Sequence, residues 1–242
     1  MKHALIFAAG RGERMRPLTD HTPKPLLCVG GKPLIVWHLE KLAAAGYTDV
    51  VINTSYLAEQ FPATLGTGSR WGVDLHYLYE GDIPLETGGG MLNALALLGT
   101  EPFLTLNGDI WCNVDLSVLP ADLPGVAHLL LVDNPPHHPD GDFALDPHGV
   151  LHPAGKRKLT YSGIGIYRHT VLQDWASVIT AAAATPMQPP RFKLAPLLRA
   201  AVARGAVTGA HYTGAWLDVG TPARWQALNN KLLHAPAGYA PD

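Results

Sequence analysis

The sequence predicts an α/β protein with a mostly parallel sheet flanked by helices. Three observations carry that expectation. Short strand-like apolar runs alternate with segments of helical spacing through the first half of the 242-residue chain. The first run, residues 3–9, breaks at Gly10 and Gly12 into a loop, and in open α/β sheets ligands sit just beyond the carboxyl ends of strands. Hydrophobic residues make up 47% of the chain, enough for one core at this length.

The elements follow in order. Residues 3–9 form the first strand. Residues 33–45 carry apolar side chains at helical spacing and stop at Gly46. Residues 49–53 make a second strand and 56–65 a short helix, and 73–79 alternate like a strand. Residues 91–98 read as a buried helix, preceded by three glycines, and 102–106 as a strand leading into Asn107-Gly108-Asp109. Another buried strand spans 128–132. The texture then changes: 134–141 is a Pro-rich loop, and 142–151 and 158–167 look like antiparallel strands. Residues 171–184 and 192–204 are helical by composition, on either side of the Pro-rich linker 185–191. A last strand is expected at 207–212 and a closing helix at 222–233. With no internal repeat, residues 1–242 read as a single domain.

Charge and cysteine usage narrow the function. A net charge of −2 argues against a nucleic-acid binder, which normally carries a basic excess. Cys28 and Cys112 lie 84 positions apart with no CxxC, so neither a disulfide scaffold nor a zinc site is indicated. No apolar stretch has the length of a membrane span and the N-terminus lacks a signal-peptide layout, so the expected location is cytoplasmic. His137 and His138 have no spaced partner, and the six tryptophans are too scattered for a stacking platform, so these read as solvated and packing residues.

The loop after the first strand holds the chemistry. Arg11, Arg14, Arg16 and Lys24 crowd between two glycines and two prolines. Glycines let backbone N–H groups approach an anion, and arginines add permanently charged bidentate donors, so a polyphosphate is the natural guest. The spacing excludes two common phosphate loops: Met15 stands where a dinucleotide fingerprint needs its third glycine, and Met15-Arg16-Pro17 where a P-loop needs Gly-Lys-Ser/Thr. Lys24, between Pro23 and Pro25, has a restricted backbone that fixes where its ammonium points. Arg16, beside Pro17 where the loop turns away, suits a structural ion pair. Asp109 follows a glycine at a strand end; a turn-forming role is its structural alternative, as a helix-start role is for Asp218.

Ala8-Ala-Gly-Arg-Gly-Glu-Arg-Met-Arg-Pro-Leu-Thr19 followed by Pro23-Lys-Pro-Leu26 resembles the signature of the sugar-1-phosphate nucleotidyltransferases. The resemblance continues through Leu85-Glu-Thr-Gly-Gly-Gly90, Asn107-Gly-Asp109 and Trp216-Leu-Asp-Val-Gly-Thr-Pro222, covering most of the chain in order. It departs at Glu13, where the family usually has a small hydroxyl residue. The resemblance implies a Rossmann-like sheet with a small antiparallel sugar-binding part, the N-terminal half binding nucleotide and the C-terminal half sugar around a shared cleft. It implies that a sugar 1-phosphate attacks the α-phosphate of a nucleoside triphosphate in line, assisted by Mg²⁺, yielding a nucleotide sugar and pyrophosphate. Arg14, Lys24 and Asp109 are then the catalytic residues, and Asp109 and Asp218 the Mg²⁺ ligands. Gly10, Arg11, Gly12, Glu13, Arg14, Lys24, Glu80, Thr87, Gly88 and Gly89 line the nucleotide, with Glu86 nearby. Asn107, Asp142, Ser162 and Gly163 contact the sugar.

Within the family, the overall run, including Leu131-Val-Asp-Asn-Pro135 and Phe192-Lys-Leu-Ala-Pro-Leu-Leu-Arg199, looks most like the N-acetylmuramate-1-phosphate uridylyltransferases of peptidoglycan recycling. Mannose-1-phosphate guanylyltransferase, using GTP, is the competing expectation. A muramyl sugar carries a lactyl carboxylate that calls for a cation, and Arg191 or Lys193 can supply it. A non-catalytic nucleotide-sugar binding module is the alternative from another class; it has no need of Asp109, Asp218 and Lys24 together. The partners expected are a nucleoside triphosphate and a sugar 1-phosphate, with no nucleic acid and no membrane.

Overall fold

The computed structural model describes residues 2–179 and 188–234. In chain order the elements begin with β1 (Lys2–Phe7), β2 (Cys28–Val29), β3 (Lys32–Pro33), α1 (Leu34–Ala44), β4 (Tyr47–Thr54), α2 (Gln60–Leu65) and β5 (Asp74–Tyr79). They continue with α3 (Glu86–Leu98), β6 (Phe103–Asn107), β7 (Ile110–Cys112), β8 (Ala127–Val132), β9 (Ala144–Leu145), β10 (Leu151–His152) and β11 (Thr160–Tyr167). Last come α4 (Trp175–Val178), α5 (Ala195–Ala203), β12 (Val207–His211), β13 (Trp216–Asp218) and α6 (Pro222–Leu233). Seven strands form the main sheet in the order β12-β8-β11-β6-β1-β4-β5. β1–β4, β4–β5 and β8–β12 pair in parallel, and β8–β11 antiparallel. Three two-stranded antiparallel ladders, β2–β3, β7–β13 and β9–β10, complete the strand set.

The chain divides into two compact units. The first comprises Met1–Pro84, Leu106–Val118 and Gly214–Asp242. In it Ala4, Leu5 and Ile6 of β1 and Val50, Val51 and Ile52 of β4 are fully buried, the continuous apolar signature of parallel strands covered on both faces. A satellite cluster of Met15, Val29, Leu34, Trp111, Val219 and Leu228 ties the loop after β1 to β7 and α6. Trp37 meets Trp111 edge-on at 6.0 Å. Trp37 Nε1 donates to the Val29 carbonyl at 3.1 Å and Trp225 Nε1 to Cys28 at 3.0 Å. Trp37 and Trp225 thus anchor with their polar tips satisfied on β2, whereas the Nε1 of Trp111, buried in the same cluster, has no hydrogen-bond partner.

The second unit comprises Leu85–Thr105 and Leu119–Thr213. Its β8 buries Ala127 and Leu129–Val132. Along β11 the register with β8 shifts between Tyr161 and Gly165, a bulge made possible by Gly163 at φ 84°. Phe103 stacks on Tyr167 at 6.5 Å, and the Tyr161 and Tyr167 hydroxyls share a 2.9 Å hydrogen bond. Burial pushes the Tyr161 phenol up to about 12, and that of Tyr167 upward as well.

Local departures from the sequence reading have identifiable causes. The glycines 88–90 lie inside α3, which starts at Glu86, rather than before it. The helix expected over 192–204 starts only at Ala195; ahead of it the N–H groups of Phe192 and Leu194 donate to Leu85 O and Thr87 Oγ1. The expected 171–184 helix is a 3₁₀ turn, His169–Leu172, and the four-residue α4; its residues 180–184 lie outside the described residues, as do 185–187 of the expected linker. The helix expected over 56–65 is confined to Gln60–Leu65, with Leu57 at φ 51° ahead of it. Of the strand expected over 142–151, only Ala144–Leu145 and Leu151–His152 are extended, paired with each other.

Candidate active site

β1 ends at Phe7, and the following backbone is pinned before the cations begin. The Ala8 N–H donates to Asn53 Oδ1 at 2.7 Å, and Asn53 Nδ2 donates to Glu80 Oε1 at 2.7 Å. Asn53 and Glu80 are both buried and stand at or just past the carboxyl ends of β4 and β5. Three parallel strands are thus stitched together by side chains at the edge where α/β sheets bind ligands. Asn53 is a residue the sequence reading missed; its position as the polar last residue of an apolar run was the signal. Glu80, expected against the nucleotide, is committed through Oε1 to this network.

The loop itself is set by Gly12. Its φ of 64° favours glycine, and a Cβ would lie 2.9 Å from Thr19 Cγ2. Thr19, buried, donates from Oγ1 to the Gly12 carbonyl at 2.9 Å. Glu13, Arg14 and Met15 form one 3₁₀ turn, with Met15 fully buried in the satellite cluster. That anchoring leaves Glu13 and Arg14 exposed. Gly10 has open space where a Cβ would stand. Arg11 Nη2 donates to the Asp82 carbonyl at 3.0 Å. Arg16 pairs with Asp20 at 3.3 Å, the structural ion pair expected of it.

Lys24 begins a 3₁₀ turn through Leu26 whose other two residues are buried. Its side chain is 11% exposed, and Nζ reaches Asp109 Oδ2 at 2.7 Å. Asp109 lies between β6 and β7, after a Gly108 that closes tightly on β1. The Gly108 N–H donates to the Phe7 carbonyl at 2.9 Å, and a Cβ there would sit 2.8 Å from the same oxygen. The glycine therefore permits a close approach of two strand ends.

The β7–β13 ladder draws the distant aspartate in. Asp218 is paired in register with Ile110, and the Val219 N–H donates to the Asp109 carbonyl at 2.8 Å. Residue 109, just before β7, and residue 218, in β13, are thereby brought side by side. Asp218 Oδ2 accepts from Arg224 Nη1 at 2.8 Å. Among the described residues no group of three His, Cys, Asp or Glu side chains has metal-binding geometry. Asp109 and Asp218 are two hard carboxylates, the kind of donors that would suit a cation such as Mg²⁺, which takes one or two carboxylates and fills its shell with water and phosphate oxygens. Beneath this ladder His38 of α1 is buried, and burial pushes its imidazole down to about 4, outweighing the opposing pull of the Ile110 backbone.

In the second unit the residues singled out by sequence make contacts within the protein. Gly88 and Gly89 N–H groups both donate to the Phe192 carbonyl, at 2.9 and 3.0 Å. A Cβ at Gly88 would meet the Phe192 ring at 2.5 Å, and one at Gly89 the Pro190 carbonyl at 2.3 Å. Phe192 in turn stacks on Trp175 at 4.9 Å. Thr87 Oγ1 accepts from Leu194 N–H, and Glu86, held at φ 64°, accepts from Arg191 Nη2 at 3.0 Å. Asp142 Oδ2 accepts from the Tyr161 N–H at 2.8 Å, and Oδ1 lies 3.2 Å from His138 Nε2. Ser162 is buried, its Oγ accepting from Ile164, and Gly163 forms the β11 bulge. Asn107, which belongs to the first unit, is half-buried and ends β6.

Comparison with known proteins places this geometry. Residues 3–122 match the family model described as nucleotidyl transferase. Over 230 residues the chain is 49% identical to an N-acetylmuramate α-1-phosphate uridylyltransferase of Neisseria meningitidis serogroup B (strain ATCC BAA-335 / MC58), covering 91% of this chain and 94% of that one. A protein of the same name from Caulobacter vibrioides is 33% identical over 249 residues, covering 97% of this chain and 98% of that one. In fold, the chain is similar to a putative glucose-1-phosphate thymidylyltransferase from Bacillus anthracis crystallised with sucrose. The TM-score is 0.82 at 21% identity, over 98% of this chain and 97% of that one. The cation-bearing glycine loop, the Lys24–Asp109 pair and near full-length similarity agree: the chain belongs to the nucleotidyl transferase family, the enzymes that make nucleotide sugars from sugar 1-phosphates.

Proposed function

We propose that the chain transfers a uridylyl group from UTP to N-acetylmuramate 1-phosphate, forming the UDP-sugar and pyrophosphate in cell-wall recycling. The observation that carries this reading is the gathering of Lys24, Asp109 and Asp218 within one unit of a chain 49% identical to a uridylyltransferase for that sugar. Gly10, Arg11, Gly12, Glu13, Arg14, Lys24, Glu80, Thr87, Gly88 and Gly89 are proposed for the nucleotide. Asn107, Asp142, Ser162 and Gly163 are proposed for the sugar, in one functional domain. Arg191, already near Glu86, and the exposed Lys193 are the cations proposed for the lactyl carboxylate. Cys28 and Cys112 are both free thiols, which supports assigning the activity to the cytoplasm.

The chemistry asks little of acid–base catalysis. The sugar phosphate oxygen is already anionic at neutral pH, so attack on the α-phosphorus needs no proton removed. The new bond is oxygen to α-phosphorus; the bond to the bridging oxygen breaks, and pyrophosphate leaves with the electron pair. The barrier is the approach of two multiply charged phosphates, and its reduction is positioning and neutralisation. Exposed Arg14 supplies a permanent charge to the triphosphate. Lys24, on a turn anchored by buried Pro25 and Leu26, turns its ammonium from Asp109 to the reacting phosphates. Asp109 and Asp218 would hold Mg²⁺, which when bound would supply further neutralisation of phosphate oxygens.

The test is pyrophosphate release with Mg²⁺, crossing UTP, GTP and dTTP against muramyl, glucosaminyl, glucosyl and mannosyl 1-phosphates. Turnover confined to UTP with the muramyl sugar is the expected result. Preference for GTP with mannose 1-phosphate would overturn the substrate reading, and release with no pair would overturn the catalytic one. Neutralising the lactyl-binding cation should raise KM for the muramyl sugar and spare UTP; unchanged KM at both Arg191 and Lys193 removes that assignment.

A further inference from the structure

Asp218 is gripped by a side chain outside the motifs that point to the site. Arg224 Nη1 donates to Asp218 Oδ2 at 2.8 Å. The guanidinium is itself tethered, since Arg224 Nε donates to Thr221 Oγ1 at 3.3 Å. Thr221 is the N-cap of α6, and its hydroxyl also accepts from the Arg224 backbone N–H at 3.3 Å, so the tether point is fixed by the helix start. The two side chains are 20% and 22% exposed. Gly220 closes the packing: a Cβ there would lie 2.7 Å from both Arg224 Nη2 and Asp218 Oδ1. An exposed, untethered ion pair is worth little. This one is shielded, tied at both ends and packed, so it fixes a direction as well as a charge.

We propose that Arg224 is the positioning residue of the metal-binding carboxylate, holding Asp218 by Oδ2 so that it meets the divalent cation in one orientation. The proposal rests on Asp218 being a metal ligand. Two effects oppose each other at such a position. A guanidinium beside a carboxylate repels an arriving cation, so a simple counter-ion would weaken metal binding. A partner that orients a ligating carboxylate strengthens it, typically 10–100-fold. The tether to Thr221 argues for orientation, because charge balance alone requires no fixed guanidinium plane.

The two effects predict opposite signs, which makes the test direct. Mn²⁺ binding to the full chain without nucleotide is followed by the paramagnetic resonance of the free ion, for wild type, Asp218→Asn, Arg224→Met and Arg224→Lys. Asp218→Asn should remove binding. Arg224→Met should raise the Mn²⁺ Kd about tenfold, with the metal-free melting temperature measured alongside. Arg224→Lys, which keeps the charge but not the fork that spans Asp218 and Thr221, should recover only part of the affinity and serves alone if the Met variant misfolds. Tighter binding in Arg224→Met, or affinity unchanged in both variants while Asp218→Asn loses it, overturns the proposal and leaves Asp218 a ligand. Binding that survives Asp218→Asn, or that is missing from wild type, overturns the reading underneath it.

Discussion

The loop after β1 with its aspartate partners and the first turn of α3 with its strap at 190–194 are both glycine-rich and both match family motifs, yet they spend their glycines differently. In the first, Gly10 faces open space and Gly12 turns the chain, so charged side chains stand beyond a pinned backbone. In the second, Gly88 and Gly89 are filled by Phe192 and Pro190, and their N–H groups are consumed by one carbonyl. The cations Lys24 and Arg224 sit against carboxylates of the candidate site, at 2.7 and 2.8 Å. Thr87 and Asp142 are instead tied to backbone N–H groups. The difference teaches that a glycine motif marks a close approach, and only the fold says whether ligand or protein makes it.

The largest expected effect sharpens the first region. Lys24→Ala or Asp109→Asn should lower kcat about 10³-fold, the scale of losing one electrostatic group from a reacting centre. Circular dichroism melts of the same variants should move little, since Asp109 is 35% exposed and the pair contributes modestly to stability. A large melt shift with intact turnover would make the pair structural.

Gly89→Ala probes the second region. Its Cβ would fall 2.3 Å from a backbone oxygen that cannot swing away, so roughly 3 kcal/mol of stability and about 10 °C of melting temperature should be lost. If the glycine served a ligand alone, the melt would hold and only KM for UTP would rise.

His38 offers a pH test beneath the β7–β13 ladder. Its folded value, about 4, lies below the ordinary 6.5, so the unfolded chain takes up the proton first. The stability it contributes is whole above pH 6.5 and declines as pH falls towards 4, by about 3 kcal/mol at the end. Urea titrations across that range should show the decline, and His38→Leu should flatten it. The smallest effect belongs to Arg16: with its partner Asp20 on the surface, Arg16→Ala should change stability by no more than about 0.5 kcal/mol and leave activity intact.

The sequence by itself determined the alternation of strands and helices, because buried parallel strands such as β1, β4 and β8 are continuous apolar runs. It also made the loop after β1 the candidate for a polyphosphate, since that loop crowds four cations between glycines and prolines. It found Lys24, Asp109 and Asp218 as candidates through local turn chemistry and family resemblance. What it did not contain was which partners those residues meet. Asn53 bonding Glu80, Lys24 meeting Asp109 and residue 218 arriving beside 109 join positions 27, 85 and 109 apart, and no local pattern encodes such distances. The placement of glycines 88–90 inside α3 was decided the same way, by a Phe192 carbonyl more than a hundred positions downstream. Local spacing sets the period and charge of each segment, but long-range pairing belongs to the packed chain, where burial and hydrogen-bond satisfaction choose among segments that are locally equivalent.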